Sequence, residues 1–305
     1  MKTSRRQFFA SAALSAGAVT VLGPAALAAG KSKKENKEKA DAPSFVTGQS
    51  KFHLGIVTYN IAKDWDIVTI IKNCTAAKIE GVELRTSHKH GVEVTLTDEQ
   101  CAEVKKRFAD SPVKLWSLGS AFDFHTPDQA KLRKDIEATK EYLTLAQDVG
   151  ATGVKVRPNG LPKDVPEEKT LEQIGHSLRE LGEFAGNLGL QIRLEIHGPE
   201  TSRVPRCKKI MDYAHHPQVG VCWNSNQSDL EDGGFDANFD SVKDKIFTVH
   251  MRDLCLEEYH FRRLLTRLGE INFTGFTFAE IPESEDPVRV LKYYRALWLS
   301  YQGLL

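Results

Sequence analysis

Eight short apolar segments with strand chemistry recur along the chain, and stretches of helical periodicity separate them. The segments are HLGIVTYN (53–60), GVELRT (81–86), VKLWSLGS (113–120) and GVKVRPN (153–159), followed by IRLEIHG (192–198), VGVCWNS (219–225), IFTVHMR (246–252) and FTFAEIP (276–282). Their β-branched and aromatic content and their length mark them as strands. The intervening stretches space apolar residues at three and four positions, as WDIVTIIKNCTAAK does over 65–78. Thr97 and Gln100 form a candidate capping box for the second helix. Thr126, with Pro127 at the first helical position, opens the third, which closes on Gly150. Further helical patterns cover 168–189, 202–214, a short stretch near 236–243, 258–269 and 286–301. This alternation predicts a (β/α)8 TIM barrel over residues 51–305. A doubly wound sheet would need a glycine-rich phosphate turn after its first strand, and TYNIAKDWD contains no glycine.

The N-terminus follows different rules. Residues 1–30, MKTSRRQFFASAALSAGAVTVLGPAALAAG, have a basic start, an apolar middle and a small-residue end, the anatomy of a secretory signal. Arg5-Arg6 followed by Gln7-Phe8-Phe9 resembles a twin-arginine signal, and Ala26-Leu27-Ala28 offers a cleavage site. The expectation is a signal peptide over 1–28, a charged linker over 29–50, and a periplasmic or other extracytoplasmic location. An uncleaved anchor helix is the competing reading, weakened by Gly17, Gly23 and Pro24. No stable membrane insertion is expected once the signal is removed. The twin-arginine resemblance implies export in the folded state, which suits an enzyme that acquires a metal in the cytoplasm.

Removing Lys2, Arg5 and Arg6 from the 41 basic residues leaves 38 against 41 acidic ones. That balance gives no electrostatic grip on nucleic acid or an anionic membrane. The five cysteines are odd in number and lack a C-x-x-C. Most read as small core residues, and a Cys74–Cys101 bridge is conceivable. A homo-oligomer is compatible with the composition.

In a (β/α)8 barrel the site sits at the C-terminal ends of the strands, and alternation decides which side chains point inward. Arg193, Glu195 and His197 share a face of the fifth strand; Cys222, Asn224 and Asn226 one of the sixth. Thr248, His250 and Arg252 share one of the seventh, and Glu280 ends the eighth. Two buried carboxylates facing each other are costly unless a cation or shared proton relieves them. A divalent metal held by Glu195, Asn224, His250 and Glu280 resolves that cost and leaves room for substrate oxygens. Arg252 then holds a substrate group or buttresses a carboxylate. Glu83 with Arg85, and Lys155 with Arg157, are further inward pairs. Glu83 and Arg85 either pair with each other or touch substrate. His88 and His90 lie in a long loop after the second strand, where they are either extra ligands or, as loop histidines usually are, solvated; His125 follows the third strand as a candidate substrate contact. Tyr59, Trp116 and Trp223 are candidates for an apolar platform, or for the core.

LEIHG, VCWNSN, VHMRDL and FAEIP, in this order, with GVELR before them, resemble the xylose-isomerase-like barrel superfamily, which includes sugar isomerases and ketose 3-epimerases. The resemblance spans roughly residues 52–303. In its epimerases four successive strands supply Glu, Asp, His and Glu to one metal, and the two glutamates exchange protons with the substrate. Carried over, these positions are Glu195, Asn224, His250 and Glu280, with Glu195 and Glu280 catalytic. Asn224 departs from the family's Asp; its amide oxygen is a poorer ligand, and the four then carry two negative charges, which a divalent ion neutralises. The resemblance implies a divalent cofactor (Mn, Co, Zn or Mg) and a small carbohydrate substrate; the inward or strand-end positions of Arg157, His197, Arg252, Glu83 and His125 make them the candidates for binding it. The expected chemistry is proton abstraction beside a carbonyl, giving isomerisation, epimerisation or elimination. A non-catalytic carbohydrate-binding barrel with a degenerate metal site is the alternative. Endonuclease IV relatives, also in the superfamily, use a richer zinc-ligand set, and no basic DNA-tracking face is evident.

Overall fold

The structure, a computed structural model, describes residues 45–305. The expected export signal (1–28) and most of the expected linker lie outside the described residues. Strands and helices alternate as β1 (His53–Val57), α1 (Ile67–Ala77), β2 (Gly81–Arg85), α2 (Asp98–Ala109), β3 (Lys114–Asp123), α3 (Gln129–Val149), β4 (Gly153–Arg157) and α4 (Glu167–Asn187). They continue as β5 (Gln191–Glu195), α5 (Val204–Ala214), β6 (Val219–Asn224), α6 (Phe235–Val242), β7 (Ile246–Met251), α7 (Phe261–Glu270), β8 (Phe276–Ala279) and α8 (Pro287–Tyr301). The strands pair in parallel and in chain order, and β8 pairs back onto β1. The chain forms the (β/α)8 barrel that its alternation predicts.

Local chemistry sets the helix ends. Thr97 and Gln100 cap α2 reciprocally, as expected. The cap of α3 is Asp128 rather than Thr126: its carboxylate accepts from the N–H groups of Ala130 and Lys131. A carboxylate there satisfies two helix-start donors and complements the dipole, so Pro127 falls just before the cap. Gly150 ends α3 at φ 80, a conformation a side chain would strain. β3 runs on to Asp123, past the expected end at 120, because the chain pairs again with β4 at Asp123 and Arg157 after an irregularity. No disulfide forms; Cys74 and Cys101 are buried thiols, and burial pushes the Cys74 thiol up to about 12. The barrel's attached chain begins before residue 51. Thr47 N–H donates to Leu304 O at 3.0 Å, and Ser50 Oγ to Gln302 Oε1 at 2.8 Å. Among the described residues no helix is long and apolar enough to cross a membrane.

Most of the core lies between the strands and the helices that wrap them. The lumen is filled separately by Val57, Phe276 and Phe278, with Trp116 packed against them. Trp116 and Phe276 lie 4.7 Å apart between ring centroids, and Phe276 and Phe278 lie 5.5 Å apart. The phenylalanine rings lie against backbone: a Cβ at Gly55 or Gly81 would come within 2.5 Å of Phe278 or Phe276. Arg193 is fully buried in this layer, with its guanidinium 5.6 Å from the Trp116 ring and Nη2 donating to Thr152 Oγ1 at 2.7 Å. This packed layer floors the site above it. Phe276→Ala should therefore cost about 3–5 kcal/mol of stability, read from the denaturant midpoint at unchanged slope.

Candidate functional site

β5 ends on Glu195, β6 on Asn224, and β7 carries His250 one residue before its end; Glu280 follows β8 directly. Pairing puts Asn224 beside His250, and Glu280 N–H donates to Met251 O at 2.9 Å. The four side chains meet above the aromatic floor. His250 Nδ1 lies 3.5 Å from Glu195 Oε1 and 3.6 Å from Glu280 Oε2, while Nε2 lies 3.2 Å from Glu83 Oε1. Asn224 Nδ2 donates to Glu195 Oε1 at 3.2 Å, and a half-turn of the amide exchanges that donor for its oxygen.

Whether these groups fit a cation is decided by unsatisfied atoms. His250 is wholly buried, and neither ring nitrogen makes a hydrogen bond of good geometry. Nδ1 instead faces two carboxylate oxygens, and one ligand atom each from Glu195, His250 and Glu280 lie within 4.8 Å of one another. Metal–ligand bonds of about 2.0–2.2 Å bring neighbouring ligand atoms into a similar range. Glu83, behind the ring, is placed to fix its tautomer and orientation. The donor set fits a divalent ion.

Lys155 completes the cluster. It lies mid-strand on β4, with Nζ 2.6 Å from Glu195 Oε2, and both side chains are buried. The sequence pattern placed Lys155 only on the inward face. A lysine between two core valines must have a partner, but its partner is set by the register of β4 on β5, which leaves Glu195 two residues beyond the Arg193 that faces Lys155.

The charges divide the two glutamates. Burial pushes Glu195 upward, but Lys155 and His250 outweigh it and hold the carboxyl well below its usual range. Burial pushes Glu280 upward and prevails over His250 and Lys155, with Glu195 adding to the rise. Burial lowers His250, yet Cys222, Glu83 and Glu280 carry its imidazole well above the ordinary value. The pair is thus split into one carboxyl biased toward ionisation and one toward protonation, the pattern of an acid–base pair.

Glu195, Asn224 and Glu280 open into a pocket of about 490 Å³, bordered also by Tyr59, His197, Asn226 and Arg252. Arg252 is tied to β6 by Nε donating to Ser225 O at 2.9 Å. Asn226 Nδ2 donates to Ile196 O at 2.6 Å. Asn60, Asp253, Leu256, Ile281 and Pro282 complete the lining. They lie beyond strand ends, where alternation carries no signal.

Other expected residues lie elsewhere. Glu83 is fully buried behind His250 and is not among the lining residues. It does not pair with Arg85, whose Nη1 donates to Thr86 O at 3.1 Å. Arg157, also outside the lining, donates through Nη2 to Ala121 O at 3.2 Å. His125 Nδ1 sits 3.1 Å from Asp123 Oδ1 and is not among the lining residues. His88 and His90 serve their loop: His88 Nδ1 contacts Thr58 Oγ1 at 2.9 Å, and His90 Nε2 contacts Arg85 O at 2.8 Å. Burial, with His90 and Arg85 nearby, lowers His88 to about 4. Of the three aromatic candidates, Tyr59 borders the pocket, Trp116 belongs to the floor, and Trp223 is buried behind β6.

Trp223 Nε1 donates to Tyr259 Oη at 2.9 Å, and Tyr259 donates to Asp229 Oδ2 at 2.6 Å. Asp229 in turn caps the turn Gln227–Leu230 by accepting from Asn226 N–H at 3.1 Å. This relay braces the loop that carries Asn226 into the pocket.

Residues 71–297 match the family model described as a xylose isomerase-like TIM barrel. No curated protein matches the sequence. Solved structures are similar in fold at low identity. A 3-keto-D-glucoside 4-epimerase from E. coli aligns with TM-score 0.68 and 15% identity over 82% of this chain and 99% of its own. The IolI protein with a bound zinc atom aligns with TM-score 0.68 and 18% identity over 82% and 99%. A D-psicose 3-epimerase from Clostridium cellulolyticum H10, solved with D-tagatose, aligns with TM-score 0.66 and 12% identity over 83% and 97%.

Tyr259→Phe leaves the Trp223 donor and the Asp229 acceptor without their shared partner. It should lower stability by roughly 1–3 kcal/mol in equilibrium denaturation.

Proposed function

This chain belongs to the xylose isomerase-like TIM barrel family, and we propose that its pocket is the active site of a metal-dependent sugar isomerase or epimerase. The observation that carries this reading is the convergence of Glu195, Glu280 and the orphaned Nδ1 of His250 at the base of an open pocket. Glu195, Asn224, His250 and Glu280 would hold a divalent ion: manganese, cobalt, zinc or magnesium. A bound ion supplies Lewis-acid polarisation of a carbonyl oxygen.

The chain's own groups supply the rest. Glu280 borders the pocket, and its upward-shifted carboxyl suits it to take and hold a proton from the carbon beside a carbonyl. Glu195 is the second carboxylate of the pair. His197, Asn226 and Arg252 present nitrogen donors to substrate hydroxyls, and Tyr59 offers a face to a sugar ring. Glu83 acts through His250. Arg157 acts through its charge on His197, whose pKa burial lowers first and Arg157 lowers further.

The substrate class is a free sugar, keto-sugar or glycoside. Two structural neighbours are named as a 3-keto-D-glucoside epimerase and a D-psicose epimerase, which supports a keto-sugar. Elimination from an oxidised glycoside begins with the same proton abstraction. The export signal read in residues 1–28 supports an extracytoplasmic location, where unphosphorylated sugars are met. Asn224 favours a second reading, a carbohydrate-binding barrel without turnover, because a neutral amide oxygen is a poorer cation ligand than the carboxylate the family's epimerases carry there.

Incubation in heavy water with keto-sugars and glycosides, each divalent ion supplied in turn, separates the two. Solvent deuterium should enter the carbon beside the carbonyl, and Glu280→Gln should slow that entry by about 10²–10⁴-fold. Tight sugar binding with no exchange under any ion would establish the binding barrel instead.

Cation affinity should rise with pH. Burial lowers His250, but Cys222, Glu83 and Glu280 hold its pKa well above the ordinary value, so the imidazole carries a proton that a cation must displace. Calorimetric titration of manganese in buffers of different ionisation enthalpy should show proton release at neutral pH, as the His250 imidazole gives up its proton.

A further inference from the structure

We propose that Lys155 is a positioning residue that restricts Glu195 to a single cation-facing oxygen; this rests on the metal reading above. A carboxylate free on both oxygens can bind an ion through either or both. In Glu195, Oε2 is taken by Lys155 Nζ at 2.6 Å. Oε1 faces His250 Nδ1 at 3.5 Å and Asn224 Nδ2 at 3.2 Å. An ion that drew in Oε2 as well would lie close to the ammonium in a water-poor site, where like charges repel strongly.

The lysine is itself fixed. β4 pairs Lys155 with Arg193 on β5, and Ser120 Oγ donates to Lys155 O at 2.7 Å from β3. Its stem is enclosed, with the whole residue 4% exposed. Glu280 differs. It borders the pocket, its side chain is 21% exposed, and among the described residues its carboxylate has only the 3.6 Å contact with His250. Lys155 thus divides the labour: Glu195 anchors the ion, and Glu280 is the carboxylate free to turn toward substrate and carry the proton.

Cobalt(II) alone is the probe, since its visible absorption reports coordination and weakens as ligands are added. Wild type, Lys155→Arg and Lys155→Met should each bind one ion per chain. Wild type and Lys155→Arg should share one spectrum. Lys155→Met should lose intensity as the released oxygen joins the ion. Superimposable spectra for wild type and Lys155→Met would overturn the assignment and leave the metal site standing. Wild type that takes up no cobalt would overturn the metal reading and this inference with it. If Lys155→Met does not fold, a crystal structure of the cobalt-loaded wild type decides. Glu195 bound through Oε1, with Oε2 on Lys155, is expected; Glu195 bound through both oxygens overturns the assignment.

Discussion

Carboxylate charge drawn into a closed barrel is the constraint on which the rest of this structure depends. Glu83 and Glu195 are at most 2% exposed, where an uncompensated carboxylate costs several kcal/mol. Lys155 and His250 answer that cost directly, and Arg193 answers it from the layer below, where Glu83 favours its charged form. Each of these cations would be nearly as costly alone. The charged groups on β2, β4, β5 and β7 therefore require one another, and the register of those strands places them within reach.

Much of this was legible in the sequence. The alternation of strand and helix patterns yields the barrel, and two-residue alternation on β5 to β7 brings Glu195, Asn224 and His250 to one rim. What alternation lacks is depth. Arg193 and Glu195 share a face of one strand, yet Arg193 lies in the floor with Trp116 while Glu195 opens to the pocket. The same blindness hides the pairing of Lys155 with Glu195 across two strands and of Glu83 with His250 across the lumen. The loops Tyr59–Asn60 and Asp253–Leu256 follow no repeat, so their place at the mouth emerges only from the folded chain.

Asn224 and Lys155 act in the same direction. Glu83, Glu195 and Glu280 are opposed by the fixed charges of Lys155 and Arg193, so with a neutral imidazole the set carries one net negative charge. A divalent ion would leave it net positive, and in the proposed reaction the proton taken up by Glu280 would hold the total unchanged while an oxyanion formed beside that positive set. An aspartate at 224 would cancel that surplus before any reaction began. In the proposed enzyme that surplus would favour an enolate oxygen as it forms.

The stoppered lumen has a kinetic consequence. Trp116, Phe276, Phe278 and Arg193 close the barrel beneath His250, so an ion bound at Glu195 and His250 would have to arrive from the pocket side. In the proposed enzyme, loading would then be sequential: the ion would enter first, and a bound sugar would hold it in.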